Sequence, residues 1–319
     1  MQTFGRLKHF PVSFFSTVMG TAGLVIAWSQ ALPVWGVSVD AMRWGVVAVA
    51  LQLAVLAVVY GVKIMTRLDA VREELRHPVK LNFFPTISIS LILVSIAAAP
   101  FWPGVAQGVW MVGTILHLAF TLYVLNVWMH RADFEPHHIN PAWFIPVVGN
   151  VLVPVAGAHF GFMEISWFFF SIGMVFWGVL FAIIVYRILF HQPLPARLMP
   201  TLFILIAPPA VGFIAYVALT GGVDPIARVL FGAAIFMTLL LLVQAPRFAR
   251  LQFYLSWWAY SFPLAAVTTA SFVMARVTDK SAYTLLGEAL LVLTTAVILL
   301  ILLRTVLAIN AREICRPEE

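Results

Sequence analysis

Ten apolar stretches, each long enough to cross a lipid bilayer, constrain this chain more than any other feature. They run roughly over 10–30, 41–62, 82–99, 105–129, 142–160, 166–189, 198–220, 227–245, 253–275 and 282–306. A helical crossing needs about 20 residues at a rise of 1.5 Å each. Residues are 62% hydrophobic and 10% charged, and the mean hydropathy is +1.00; a soluble domain is about 45–50% apolar and about 25% charged. Inside lipid, backbone polar groups have to be satisfied within the span itself, which favours helices. The sequence therefore predicts an all-α polytopic membrane protein, with residues 1–319 forming one transmembrane domain. Connections are short except at 63–81 and 130–141. The apolar run Phe10–Trp28 exceeds the 7–15 residues of a signal-peptide core, so it reads as a retained first crossing.

Charge sets the expected orientation. With both termini placed in the cytoplasm, fifteen of the 19 basic residues fall in inner loops and ends, from Arg6 and Lys8 to Arg312 and Arg316. Only Arg43, Arg228, Arg276 and Lys280 fall outside. This asymmetry satisfies the positive-inside rule. It also accounts for the net charge of +6 without a nucleic-acid partner. Segment 63–81 mixes charged and apolar residues at helical spacing and reads as an amphipathic connector on the cytoplasmic surface. Residues 307–319 read as a cytoplasmic tail. The single cysteine, Cys315, excludes an intrachain disulfide and any multi-cysteine metal site.

The 19 prolines carry the strongest internal pattern. None lies inside an even-numbered stretch. Pro85, Pro146, Pro154, Pro208, Pro209 and Pro263 lie inside odd-numbered ones, and Pro11, Pro141 and Pro200 open others. A proline within a helix removes a ladder hydrogen bond and clashes with the preceding turn. Irregular backbone is tolerated at membrane depth only against protein or a wet cavity. The pattern thus predicts five helix pairs, with bent odd helices ringing an axial channel and straight even helices outside. The ninth stretch, SWWAYSFPLAAVTTASFVMA from Ser256 to Ala275, places Phe262 directly before Pro263. Phe262 is the expected plug of the channel. Phe14, shortly after Pro11, is expected to face the same axis, and Pro85, Pro146, Pro208 and Pro263 to shape the lining.

The chemistry inside the spans is sparse. No Lys, Arg or Asp stands mid-span, and Glu288 lies near the outer end of the tenth stretch. Proton-driven carriers usually place carboxylates or histidines there. His117 and His159 lie on spans and form the one conceivable haem pair, for an electron carrier of another class. His137-His138 lacks a metal-ligand pattern, and no zinc, nucleophile-elbow or phosphate-loop motif occurs. No enzymatic constellation and no cofactor site emerges. An uncharged tunnel offers a passing ion only backbone N–H groups and helix ends, a weak-field site suited to easily dehydrated anions. A cation pore would call for acidic rings or arrayed carbonyls.

Four pieces carry a family resemblance: His77-Pro78-Val79, the segment Asn140–Asn150 (NPAWFIPVVGN), Ala207-Pro208, and Trp258–Ala265 (WAYSFPLA). Occurring in this order, they resemble the tellurite-resistance and C4-dicarboxylate transporter family. It includes bacterial tellurite-resistance membrane proteins, fungal malate and sulfite transporters, and the slow-type anion channel of plant guard cells. The resemblance covers essentially the whole chain. It implies ten helices in five quasi-fivefold hairpins, a pore through each protomer lined by the odd helices, a gate at Phe262 and a homotrimer. It also implies a multi-pass protein of the bacterial cytoplasmic membrane that passes small inorganic or organic anions. A proton-coupled malate, dicarboxylate or sulfite carrier is the alternative drawn from the same family.

Overall fold

A computed structural model describes residues 7–315, so Arg6, Arg316 and Pro317 lie outside the described residues. Among those described, nine helices are long and apolar enough to cross a membrane. They are Val12–Trp35, Val39–Thr66, Lys80–Ala98, Pro103–His130, Met163–Phe190, Met199–Thr220, Pro225–Leu242, Leu255–Thr278 and Ser281–Asn310. A shorter apolar stretch, Pro141–Gly157, stands fifth in chain order and is counted below as the fifth span. No strand occurs among the described residues.

The two sets of spans are wound differently. The second, fourth, sixth, eighth and tenth are single α-helices: Arg43–Thr66, Pro103–His130, Met163–Phe190, Pro225–Leu242 and Ser281–Asn310. Proline occurs in them only at the first helical position, at Pro103 and Pro225. There its missing N–H is one that no helix can satisfy internally. Four odd spans instead open as 3-10 helix, over Val12–Phe14, Lys80–Phe83, Met199–Ile206 and Leu255–Tyr260. They rewind as α-helix over Phe15–Ala31, Thr86–Ala98, Ala207–Thr220 and Ser261–Thr278. The fifth span alternates: 3-10 at Pro141–Trp143, α at Phe144–Val148, 3-10 at Gly149–Leu152 and α at Val153–Gly157.

The prolines stand at these junctions. Pro85 immediately precedes an α segment, while Pro146, Pro208 and Pro263 sit within the first α turn. These α segments continue directly from 3-10 helix, whose carbonyls accept the first α N–H groups, as Trp258 accepts Ser261 and Ile204 accepts Ala207; a proline here gives up one such bond at the change of winding. The breaks are therefore changes of winding. The residues entering the α segments (Phe14, Pro85, Ile206 and Tyr260) all keep right-handed helical dihedrals. A 3-10 stretch rises about 2.0 Å per residue against 1.5 Å, so each entrance half is thinner and longer.

Burial separates the sets. Between 56% and 89% of the apolar window is buried in the first, third, seventh and ninth spans, against 22% to 33% in the even spans. Every residue of the fifth span from Pro141 to Pro154 is buried. The odd spans contact one another in a closed order: first on third, third on fifth, fifth on seventh, seventh on ninth, ninth on first. Each even helix packs on the odd span preceding it. Their outward faces stay apolar and exposed, as at Leu51, Val55, Val112, Ile115, Val175, Val229, Phe236, Val292 and Leu299. Such faces suit lipid.

First and ninth spans approach closely because two glycines allow it. A Cβ at Gly20 would stand 2.7 Å from the Ser261 Cβ, and one at Gly23 would stand 2.9 Å from the Ala265 Cβ. In the 63–81 connector, the helix lying between the second and third spans is Leu68–Arg76, with Ala70, Val71 and Glu74 buried. Lys63 belongs to the helix of the second span instead. The 130–141 loop is tied back by Arg131. Its Nη1 donates to the Arg76 carbonyl at 2.8 Å, and its Nε donates to Asp133 Oδ1 at 2.9 Å. These bonds from Arg131 hold the Asp133 carboxyl below its ordinary range.

Candidate functional site

The five odd spans enclose a cavity of about 750 Å³. Its mouth lies where the two ends of the chain meet: Lys8 near one end and Glu313 to Cys315 near the other both line it. Along each span, the last residue to reach it is Met19, Ile89, Leu152, Val211 or Pro263. These five residues mark the floor, and all are apolar.

Charge is confined to the mouth, at Lys8, His9, Glu73, Glu74, His77, Lys80, Arg197 and Glu313. Deeper in, the polar side chains of the wall are Ser13, Ser16, Thr86, Thr201 and Ser256, with the Trp258 indole. Three of these hydroxyls cover carbonyls of the 3-10 entrances. Ser16 donates to the Ser13 carbonyl at 2.5 Å, Thr86 to Phe83 at 2.6 Å and Thr201 to Leu198 at 2.6 Å. These hydroxyls escaped the sequence reading, although each follows a proline (Pro85, Pro200) or the Pro11 entrance within a few residues.

Phe262 lines the cavity beside its floor. It is only partly buried, while Ser261 and Pro263 on either side are buried. Its ring does not face lipid. It lies against the first span, where a Cβ at Gly23 would stand 3.4 Å from Phe262 Cδ2. Pro208 and Pro263 also line the cavity. The other three expected wall residues are not among the lining. Phe14 is 6% exposed and stacks on Phe10, with ring centroids 4.5 Å apart. Pro85 and Pro146 are buried, and their carbonyls accept Ser88 Oγ at 2.8 Å and Thr121 Oγ1 at 2.7 Å. These three residues lie behind the wall and not on its surface. Beyond the floor the ninth span is tightly packed, with Leu264 through Ala275 all buried.

The histidines weighed as haem ligands are not brought together. His117 is fully buried, with Nδ1 2.9 Å from Ser88 Oγ and its other edge against Gly149. A Cβ at Gly149 would meet His117 Nε2 at 2.8 Å, so the imidazole packs directly against the glycine backbone. His159 is exposed, past the helical end of the fifth span. Among the described residues, no group of three or more His, Cys, Asp or Glu could hold a metal ion. Glu288 sits near the N-terminal end of the tenth span, where it accepts a hydrogen bond from Trp35 Nε1 at 2.7 Å.

The family model described as voltage-dependent anion channel matches residues 9–306, which takes in every crossing that builds the cavity. The chain belongs to the voltage-dependent anion channel family. That family consists of channels and transporters, not enzymes. The chain is 28% identical over 313 residues to the S-type anion channel SLAH3 of Arabidopsis thaliana, covering 94% of this chain and 48% of that one. It is 28% identical over 279 residues to a tellurite resistance protein TehA homolog of Haemophilus influenzae, covering 85% and 84% of the two. An uncharacterized transporter of Methanocaldococcus jannaschii is 26% identical, with 89% of each chain covered. The chain thus spans about half the length of the plant channel and most of the length of the other two. The family agrees with the resemblance carried by the 140–150 and 258–265 motifs.

Proposed function

We propose that the protein is a passive anion channel whose pore is occluded by Phe262. One observation carries this reading. The odd spans enclose a cavity whose deep wall has no charged side chain and whose floor carries the Phe262 ring. Idealised Born estimates put the cost of moving a bare ion into a low-dielectric medium on the order of 20 kcal/mol. A wide wet vestibule spares an ion that cost as far as the floor. The five inner spans run parallel, so the N-terminal ends of their dipoles point toward the mouth and favour negative charge.

In this reading Pro263 and Pro208 shape the floor of the pore. Pro85, Pro146 and the Phe10–Phe14 stack fix the winding behind it. The inner ring is quasi-fivefold, the assembly is a homotrimer with one pore per protomer, and both termini face the cytoplasm of a bacterial cell. The substrates are small inorganic or organic anions. The deep wall offers no titratable group to couple transport to protons, which speaks against a proton-driven carrier.

The test is conductance of the purified protein in planar bilayers. Phe262→Ala is expected to raise chloride current at least about tenfold, equivalent to ~1.4 kcal/mol off the barrier. Equal currents from both proteins at equal reconstitution overturn the gate. A chloride gradient driven uphill by an imposed pH gradient in liposomes overturns the channel.

A further inference from the structure

Behind the mouth of the cavity lies an ion pair that no expectation from the sequence anticipated. Lys63, at the inner end of the second span, is fully buried. Its Nζ donates to Glu74 Oε2 at 2.8 Å and to the Phe10 carbonyl at 2.8 Å. Glu74, on the surface helix Leu68–Arg76, is 7% exposed and also takes a 2.8 Å hydrogen bond from the Tyr60 hydroxyl. Its other oxygen, Oε1, accepts the backbone N–H of Val12 at 3.3 Å. Pro11 immediately before has no side chain able to cap that N–H, so the cap comes from another element.

Glu74 differs from the other acids of the mouth. It lines the cavity, as do Glu73 and Glu313, but those two are exposed and Glu74 is buried. Water and salt screen an exposed carboxylate within roughly 8–10 Å. A buried carboxylate acts through a lower dielectric, and its field on a passing anion is several times larger at the same distance. A bare Glu74 would therefore repel anions where the vestibule begins. A buried pair with each charge answered is electrically quiet, and removing one partner leaves the other uncompensated.

We propose that Lys63 is the counter-charge that silences Glu74 in the vestibule wall, so that this pair sets how readily anions enter from the mouth. The inference rests on the channel reading above. It predicts effects of opposite sign for the two partners. Lys63→Met leaves a bare carboxylate in the wall and lowers entry. Glu74→Gln leaves a cation behind the wall and raises it. Removing both charges restores it. A pair acting only as a structural tie gives losses in both single variants and the largest loss in the double variant.

The experiment is single-channel recording of the full chain at pH 8 in planar bilayers, in a Phe262→Ala background, with chloride as the probe. Amplitude is read one molecule at a time, so reduced yield or stability does not mask it. The expected result is a chloride conductance at least about threefold lower in Lys63→Met than in the background. Glu74→Gln should exceed the background, and Lys63→Met/Glu74→Gln should return to within about twofold of it. Losses in both single variants that deepen in the double variant overturn the proposal while leaving the channel intact. Absence of chloride current in every protein, the background included, overturns the channel reading and this proposal with it.

Discussion

The inner and outer spans are built from similar amino acids and behave in opposite ways. The tenth span is one α-helix of 30 residues, Ser281–Asn310, with exposed Val292, Leu299 and Leu303 on its outer face. The ninth span, against which it packs, begins as 3-10 helix at Leu255–Tyr260 and is buried over most of its length. Both are apolar enough to cross a membrane. What separates them is where proline and small residues fall. Proline at the head of an α segment gives up a bond only where the winding changes from 3-10 to α. Gly20 and Gly23 on the first span, facing Ser261 and Ala265 on the ninth, let two inner backbones approach. A helix facing lipid gains nothing from either device. It needs only a continuous ladder and an apolar surface.

Moving each device to the wrong set should break the comparison, and the largest effect is expected for proline. Val292 is 71% exposed in the middle of the tenth span, so Val292→Pro disturbs little except the ladder. It should cost about 3 kcal/mol or more, seen as loss of monodisperse protein in detergent or a large drop in melting temperature. A melting temperature within a degree of the unmodified protein would show that the outer helices tolerate breaks as the inner ones do.

Next comes glycine. Gly20→Ala forces a methyl to within 2.7 Å of the Ser261 Cβ and should destabilise by ~1–3 kcal/mol. Gly178→Ala, in the sixth span, meets nothing within 4 Å and should stabilise by ~0.5–1 kcal/mol. Thermal unfolding of the two variants side by side decides it, and equal shifts would dissolve the distinction. The smallest effect is expected for Pro263→Ala. That position is in the first α turn, where the winding changes, and replacing proline loosens the unfolded chain by about 0.4–1 kcal/mol. A loss as large as that of Val292→Pro would mean that the inner winding depends on this proline after all.

Much of this arrangement was legible in the chain. Segregation of proline to alternate spans separated inner from outer correctly, because lipid imposes a strict test on every backbone group. The spans were located to within a few residues for the same reason. Phe262, Pro208 and Pro263 line the cavity, while Phe14, Pro85 and Pro146 are buried behind its surface. On a helix, a shift of one residue turns a side chain by about 100°, and nothing in a sequence fixes the rotation of a span that is apolar all round. The Lys63–Glu74 pair escaped for a related reason. In the sequence both residues look like members of one solvated, charged connector, and only the docking of the surface helix buries them together.

By itself, the sequence determined that the chain is built of nine or ten apolar helices suited to a membrane, which of them are irregular, and that their interior is almost free of charge. Composition and proline position act through the local rules of helices in lipid, so they need no partner to be read. The tertiary structure alone decided which side chains share a cavity, that its floor is apolar, and that a buried lysine answers a buried glutamate at its mouth. Those facts depend on how each helix is turned about its axis and on which distant segment covers it. Packing between spans sets both.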